Sequence, residues 1–553
     1  PDIFAISAVV STAYEYTKRL SLDVKKMLPN TLIVLGGNLG ASANVLLRRT
    51  GVDICVLGEG EIPFLDVVHR TEETRDPTKF KDIPGLVLLE GDELVNTGYA
   101  KTLSKRVVYE INWDDVENSS DINMFFPVAD DNITGHDDIT HDPRFFEDHR
   151  RGKRVGTLYT AKGCVSRCTF CHRWDKGIRF IPVDIAMRRL DEIIIRYNVG
   201  ILHIADENFG TDKRWLEEFC AEIKKRDVLW RAGTRAKGIT PEVIAMVKEA
   251  GCTSLVYGNE TGSPRMLEIM EKKVSIKDNY NAVKWAIEAE LDSKVQLVCG
   301  MPGETSETIG ETIEFCKFTN AISPRQNPND LSINYAQALP GTPLYEYARS
   351  EGLIGKDLDG EEQYLLDISD RDAHDEFSTL NFTGFPKLEC ETWRPRITVE
   401  VNHHYVRKFG IEHYRKVLLK DTNFFDGVAP SAGYYANPRR LVETRGDFSD
   451  HNAADAPAYP SLMTLLLARR WGLALICYPV LAYRLRRFLF LLVTFKNLSR
   501  YGFGYTMSLL GAYFLYIVSP DRRERAYKRP YKSLRKIVND DIGVLSNDEE
   551  TMK

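Results

Sequence analysis

The chain has 553 residues, too many for one hydrophobic core, so about two to four domains are expected. Its 43% hydrophobic and 27% charged content is that of a globular protein, and ten cysteines over this length are too sparse for a disulfide scaffold. The net charge of −6 is unevenly spread, with a basic C-terminal stretch against a strongly acidic remainder. No secretory signal is visible. The chain opens at Pro1 inside an apolar stretch, without an initiator Met, so a fragment that lacks its true N-terminus is expected.

From Pro1 to about Gly98, strands and helices alternate. The pattern predicts strands over 2–10, 31–35 and 53–57, with helices over 14–28 and 43–49 between them. Such alternation argues a parallel, doubly wound (Rossmann-like) α/β sheet, with ligands bound beyond the carboxyl ends of its strands. Gly36-Gly37-Asn38 and Gly58-Glu59-Gly60-Glu61 fall at those ends, where a missing side chain lets a flat ligand or a phosphate approach the backbone. Ordinary tight turns account for the same glycines. Residues 83–97 read as a hairpin turning at Gly91-Asp92.

Residues 99–153 read as a linker, rich in Asp, Asn and His without periodicity. Scattered acids and histidines of this kind are usually solvated, and the sequence around His149 (EDHRRG) is read in the same way rather than as a metal-ligand motif.

The stretch that carries chemistry is Cys164-Val165-Ser166-Arg167-Cys168-Thr169-Phe170-Cys171, three cysteines spaced C-x3-C-x2-C. Thiolates hold iron–sulfur clusters, and three of them leave one iron of a [4Fe–4S] cluster open to a ligand. A zinc knuckle is the competing reading. It would need a second C-x2-C pair, which is absent, or His172, which sits directly beside Cys171 and suits tetrahedral closure poorly. From residue 155, strand–helix repeats predict strands over 156–161, 201–205, 229–233, 254–257, 294–298 and 331–337. Helices between them make a partial (β/α)6 TIM-like barrel over 154–356, with chemistry at the strand carboxyl ends.

The cysteine spacing with Phe170 before the last Cys resembles the signature of the radical S-adenosylmethionine (SAM) enzymes, and the glycine-rich turns near the N-terminus resemble the second half of the cobalamin-binding domain that precedes many of them. The resemblance implies that Cys164, Cys168 and Cys171 bind a [4Fe–4S] cluster whose open iron takes the amine and carboxylate of SAM. Phe170 would flank the adenine, Asp206 and Glu207 receive the ammonium, and Arg235 pair with the carboxylate. Glu260 would contact ribose or amine, and the Gly300–Pro302 loop would lie against adenine. For cobalamin it implies Ser7, Ser11, Gly36, Gly37, Asn38, Gly58 and Glu59. That domain has five strands in the family; about three are read here. The implied reaction is reductive cleavage of SAM to a 5′-deoxyadenosyl radical that abstracts hydrogen from an unactivated carbon. With cobalamin, a methyl group would then reach the substrate radical. A low-potential donor of the ferredoxin or flavodoxin type is implied, in a reducing cytoplasm.

Residues 357–460 form a C-terminal extension, acidic at 357–378 and helical over 393–414, where His403, His404 and His413 read as a helix surface. Cys299 closes a barrel strand and stands apart from the other core thiols. Residues 461–553 change character: apolar, aromatic-rich segments are broken by basic clusters. Residues 461–536 hold fifteen Lys and Arg against two acids, a local charge of about +13. Basic amphipathic helices lying on an anionic membrane surface are expected, with a buried helical subdomain as the alternative; the long aliphatic runs argue against nucleic acid. The sequence therefore predicts a cobalamin-dependent radical SAM C-methyltransferase acting on a small or lipid-like molecule. A cyclase or rearrangement enzyme using the same cofactors, or a non-catalytic cluster or zinc protein, are the alternatives.

Overall fold

A computed structural model describes residues 1–129, 142–172, 177–371, 373, 380–420, 461–467 and 470–528. The expected N-terminal alternation folds into a five-stranded sheet, β1 (Ile3–Ser7), β2 (Leu32–Gly36), β3 (Ile54–Val56), β4 (Leu86–Glu90) and β5 (Glu93–Asn96), in that spatial order. The first three strands are parallel, and β4 and β5 join antiparallel, so the predicted hairpin extends the sheet. The strand order therefore does not reverse among the described strands, and the sheet is mixed rather than purely parallel. Both faces are nonetheless covered. Ile33, Leu35 and Cys55 pack with Tyr14 and Leu46 of the Tyr14–Met27 and Ala43–Arg49 helices. Leu32, Val34, Ile54 and Val56 pack with Val67 of the Glu61–Thr71 helix. Side chains two apart thus serve opposite faces, as the pleat requires.

The second sheet holds six parallel strands in the order β13-β12-β11-β10-β9-β6: β6 (Arg154–Leu158), β9 (Val199–Ile204), β10 (Leu229–Thr234), β11 (Cys252–Glu260), β12 (Val295–Cys299) and β13 (Leu331–Tyr335). Outer helices such as Val183–Tyr197 and Ser306–Thr319 cover it, giving the expected parallel half-barrel. Two boundaries differ from expectation. The first strand stops at Leu158, and Ala161 instead opens a two-stranded antiparallel ribbon, β7 (Ala161–Cys164) with β8 (Gly177–Phe180). β11 runs to Glu260 through a register slip after Gly258, so the Gly258-Asn259-Glu260 segment ends a strand rather than following it.

The His149 segment forms short 3₁₀ turns, and His149 and Arg150 pair with Asp227, just before β10 and therefore at the opposite end of the barrel from the strand carboxyl ends. Residues 130–141, which hold two of the linker's three histidines, lie outside the described residues. The acidic 357–378 stretch contains an eleven-residue helix, Leu358–Ile368. Farther on, Gly410, at φ +88°, separates the Lys387–Phe409 and Ile411–Lys420 helices. In the tail, Pro479 opens a new helix after Trp471–Cys477, and the last two apolar segments join as one helix, Leu489–Val518, broken at Gly502.

The N-terminal sheet and the half-barrel share one hydrophobic core. Leu39 and Leu46 lie in the same cluster as Val298, Met301, Ala338 and Leu344. The Leu358–Ile368 helix fastens the joint: Glu362 accepts hydrogen bonds from Tyr14 Oη at 2.8 Å and Lys18 Nζ at 2.5 Å, and Arg49 lies 3.5 Å away. Burial alone would raise the Glu362 carboxyl, but the bonds from Lys18 and Tyr14 outweigh it and hold it below the usual range. Glu362→Ala leaves the buried Tyr14 hydroxyl without its acceptor and should cost about 1–3 kcal/mol in denaturant unfolding. Asp359→Ala, which removes a mostly exposed carboxylate facing Arg49, should change stability by less than about 1 kcal/mol.

Candidate active site at the strand ends

The cysteine loop is mounted on the β7–β8 ribbon, with Cys164 paired to Gly177 and Gly163 to Ile178. The turn into the ribbon is set by Asp206, which follows β9. Its carboxylate accepts hydrogen bonds from the amides of Thr160 (2.7 Å) and Ala161 (3.0 Å) and from the Thr160 hydroxyl. Burial pushes this carboxyl up to about 6, against the lowering effect of those bonds. Asp206, expected to receive an ammonium, thus spends its oxygens on the chain entering the cysteine loop. Glu207 is exposed and close enough to Cys171 to oppose its ionisation.

The loop itself is pinned from two sides. The Thr169 amide donates to the Met270 carbonyl at 3.1 Å, and the Leu344 amide donates to the Thr169 carbonyl at 3.0 Å. Phe170 packs against the core that contains Met270 and Met301. Asn208, fully buried, directs its Nδ2 at Cys164 Sγ, 3.7 Å away, and the Ser166 amide donates to the same sulfur at 3.4 Å. Desolvation raises the Cys168 thiol, partly offset by Lys272. Cys171 sits at the exposed rim, yet desolvation by the surrounding loop, followed by the charges of Cys168, Glu207 and Cys164, pushes its thiol up to about 12. Among the described residues no three His, Cys, Asp or Glu side chains converge closely enough to hold a single ion. Cys164 and Cys168 lie close enough to oppose ionisation of Cys171, and a polynuclear cluster held on these sulfurs would offset that repulsion.

Around Cys168 lie Lys272, Glu260 and Arg235. Glu260, in a left-handed conformation at φ +63°, pairs with Lys272 Nζ at 2.5 Å, and both are buried. Desolvation would lower Lys272, but the Glu260 carboxylate holds the ammonium above its ordinary value. Arg235 donates to the Lys272 carbonyl. Glu260 and Arg235 were legible in the sequence, whereas Lys272 and Asn208 as site residues were not. The Gly300–Pro302 loop is folded round Glu304, which accepts the amides of Gly300 and Met301; burial pushes Glu304 up to about 8. Beside that loop a small cavity is lined by Cys299, Gly300 and Tyr335, and on its other wall by Asn381, Lys387 and Glu391 of the C-terminal extension. No local motif marks that second wall.

The glycine-rich turns of the N-terminal sheet face the same region. A side chain on Gly341 would lie 3.1 Å from Ala41 Cβ and 3.3 Å from His172 Nε2, so the turn after β2, the 338–343 loop and the cysteine loop meet there. Ser7 pairs with Gly36 at the end of β1 and β2, and Asn38 opens the short 3₁₀ turn beyond them. Gly37 has φ +93°, and a Cβ there would sit 2.4 Å from the Ala8 carbonyl oxygen. Ser11 and Ser42 hydroxyls are buried with no hydrogen-bond partner among the described residues, while Val9 and Val10 beside Ser11 are exposed. An apolar rim with orphaned hydroxyls and bare glycines fits a large flat ligand such as a corrin. Gly58 lies against Tyr99. Glu59 is placed otherwise than expected. It is buried, pairs with Arg179 and with Lys162 at 3.6 Å, and accepts the Leu103 amide at 3.0 Å.

The hydrogen bond from Asn208 should tune a cluster held on Cys164, since donors to the sulfur stabilise the more negative, reduced state. Asn208→Ala should retain the cluster but shift its midpoint potential downward in a redox titration followed by electron paramagnetic resonance.

Residues 158–316 match the family model described as the radical SAM superfamily. The anaerobic magnesium-protoporphyrin IX monomethyl ester cyclase of Cereibacter sphaeroides is 26% identical over 363 residues, covering 64% of this chain and 54% of the cyclase. The chain thus spans about half the length of that relative. An uncharacterized methyltransferase of Pyrococcus horikoshii is 27% identical over 436 residues, covering 76% of this chain and 81% of its own. In fold, the chain is similar to the cobalamin-dependent SAM radical enzyme OxsB in its apo form, with TM-score 0.52 and 14% identity, covering 98% of this chain and 71% of that one. With its three-cysteine loop at the mouth of a parallel half-barrel, the chain carries over residues 158–316 a radical SAM domain, the domain of enzymes that use a [4Fe–4S] cluster and SAM.

Proposed function

We propose that this chain is a cobalamin-dependent radical SAM enzyme that methylates an unactivated carbon of a small molecule. The observation that carries the reading is the meeting of the bare turn after β2 with the cysteine loop, where Gly341 separates Ala41 from His172. On this reading residues 1–98 form the cobalamin-facing unit and 154–356 the SAM-facing one. When bound, the cluster and SAM supply a carbon-centred radical, and cobalamin supplies the methyl group.

The chain's own residues bind and orient. Cys164, Cys168 and Cys171 hold the cluster, and Phe170 with the Gly300–Pro302 loop forms the apolar edge of the SAM pocket. The buried Glu260–Lys272 pair and Arg235 place fixed charges of both signs beside Cys168, complementary to the amine and carboxylate of an amino acid. Asp206 sets the direction of the ribbon and takes no part in binding SAM. Lys387, Asn381 and Glu391 form a polar wall beside Cys299 and Gly300 that would border the substrate. The 158–316 match supports the SAM chemistry, and the methyltransferase among the relatives supports methyl transfer. Electrons from a low-potential ferredoxin or flavodoxin-type donor would enter at the exposed Cys171 side, in a reducing cytoplasm that keeps the thiols free.

Anaerobically reconstituted protein given SAM, cobalamin and a low-potential reductant should form 5′-deoxyadenosine and retain cobalamin through gel filtration. Cys168→Ala should abolish deoxyadenosine formation. Gly37→Val, whose side chain meets the Ala8 carbonyl, should lose cobalamin while the cluster absorbance persists. Deoxyadenosine formed by protein that retains no cobalamin would reject the methyl-transfer reading, and SAM consumed with bound cobalamin but no methylated product would favour a cyclase.

A further inference from the structure

We propose that the C-terminal helical tail is a seat for an anionic lipid bilayer. Its main element, the Leu489–Val518 helix, packs one side onto the protein through Leu489, Val493, Asn497 and Thr506. The other side is covered by no described residue. Before the break at Gly502 it exposes Phe488, Leu491, Phe495 and Leu498, and after it Phe503, Met507, Phe514 and Val518. Spacings of three, four and seven put each set on one helical stripe. Phe503 is 70% exposed and Val518 69%, more than scattered surface apolars explain.

Basic side chains rim the stripe at both ends. Arg484 and Arg487 are exposed before it, and Arg522, Arg523 and Arg525 after it, against Asp521 and Glu524. This charge decides the occupant. Two copies of the chain meeting through the same stripe would set like basic rims against each other. A nucleic acid would leave the aromatic stripe unburied. An anionic bilayer satisfies both features at once, taking the aromatic side chains into the acyl boundary and the arginines at the headgroups. Among the described residues no single helix is long and apolar enough to cross a membrane. The tail turns by 96° at Ser519, a shape suited to lying in the interface. Asn497, on the packed side, donates to Glu391 Oε2 at 2.8 Å, which ties the seat directly to the wall of the cavity beside Gly300.

The test is flotation of the full chain with vesicles of phosphatidylcholine alone and of phosphatidylcholine with phosphatidylglycerol. The wild type should float with the anionic vesicles and much less with the neutral ones. The triple variant F503D/F514D/V518D, which alters only exposed positions, should remain unbound with an unchanged thermal melt. R484E/R487E/R522E should lose the preference for anionic vesicles. Wild type that floats with neither vesicle, or a triple variant that floats as well as wild type, would overturn the proposal. So would self-association without vesicles that the triple variant abolishes, since a second copy would then be the occupant. Vesicle binding requires neither cluster nor SAM, so its failure stands apart from failure of the proposed activity.

Discussion

The structure turns on a carboxylate that crosses from one domain to the other. In the β7–β8 ribbon Lys162 and Arg179 are directly paired neighbours, two like charges that would repel across the strands that carry the cysteine loop. Glu59, from the turn after β3, sits between them, only 4% exposed at its side chain. Glu61 reaches Lys162 as well, at 3.6 Å. The ribbon is four residues per strand, too short to hold itself, and a two-stranded ribbon is marginal in water. Its geometry therefore depends on acids supplied by the N-terminal sheet. The unit expected to face one cofactor also braces the loop expected to hold another.

That dependence explains where the sequence was readable and where it was not. The parallel half-barrel and the N-terminal alternation follow from local periodicity, and most strands and helices begin and end within a few residues of expectation, because apolar spacing and caps such as Thr305 with Thr308 are local signals. The cysteine spacing is local too. Direction is not local. Asp206 and Glu59 occupy the positions a ligand-binding acid would take, but the chain turns the first back onto Thr160 and the second onto Arg179. The β7–β8 ribbon escaped notice since its strands are short and flanked by glycines. Lys272 sits in no motif, and Asn208, inside the 206–209 segment, reads as a helix cap; both come beside the cysteine loop only when β9 and the 264–273 segment are brought against it.

The C-terminal half shows the same division. The 393–414 pattern reads straight through Gly410, and no break was expected at Pro479 or Gly502, although each carries a backbone reason to stop or bend a helix; only the helical character was legible. The partners of those helices were not. Asn381, Lys387 and Glu391 wall the cavity beside Cys299 from about ninety residues farther along the chain, and His403 stacks on Tyr483 at 3.6 Å.

Charge at the cysteine loop links these observations. Glu260 offsets Lys272 beside Cys168, leaving Arg235 there and the exposed Arg167 within the loop against Glu207 beside Cys171. Desolvation raises Cys168 and Cys171, and the charges of neighbouring sulfurs add to it. A cation at the sulfurs would offset both effects, so loading the loop releases protons and becomes more favourable as pH rises. Glu260 and Lys272 pair with each other, so they place one charge of each sign beside Cys168 without adding net charge of their own. Paired charges of this kind discriminate by geometry rather than by attraction to one sign.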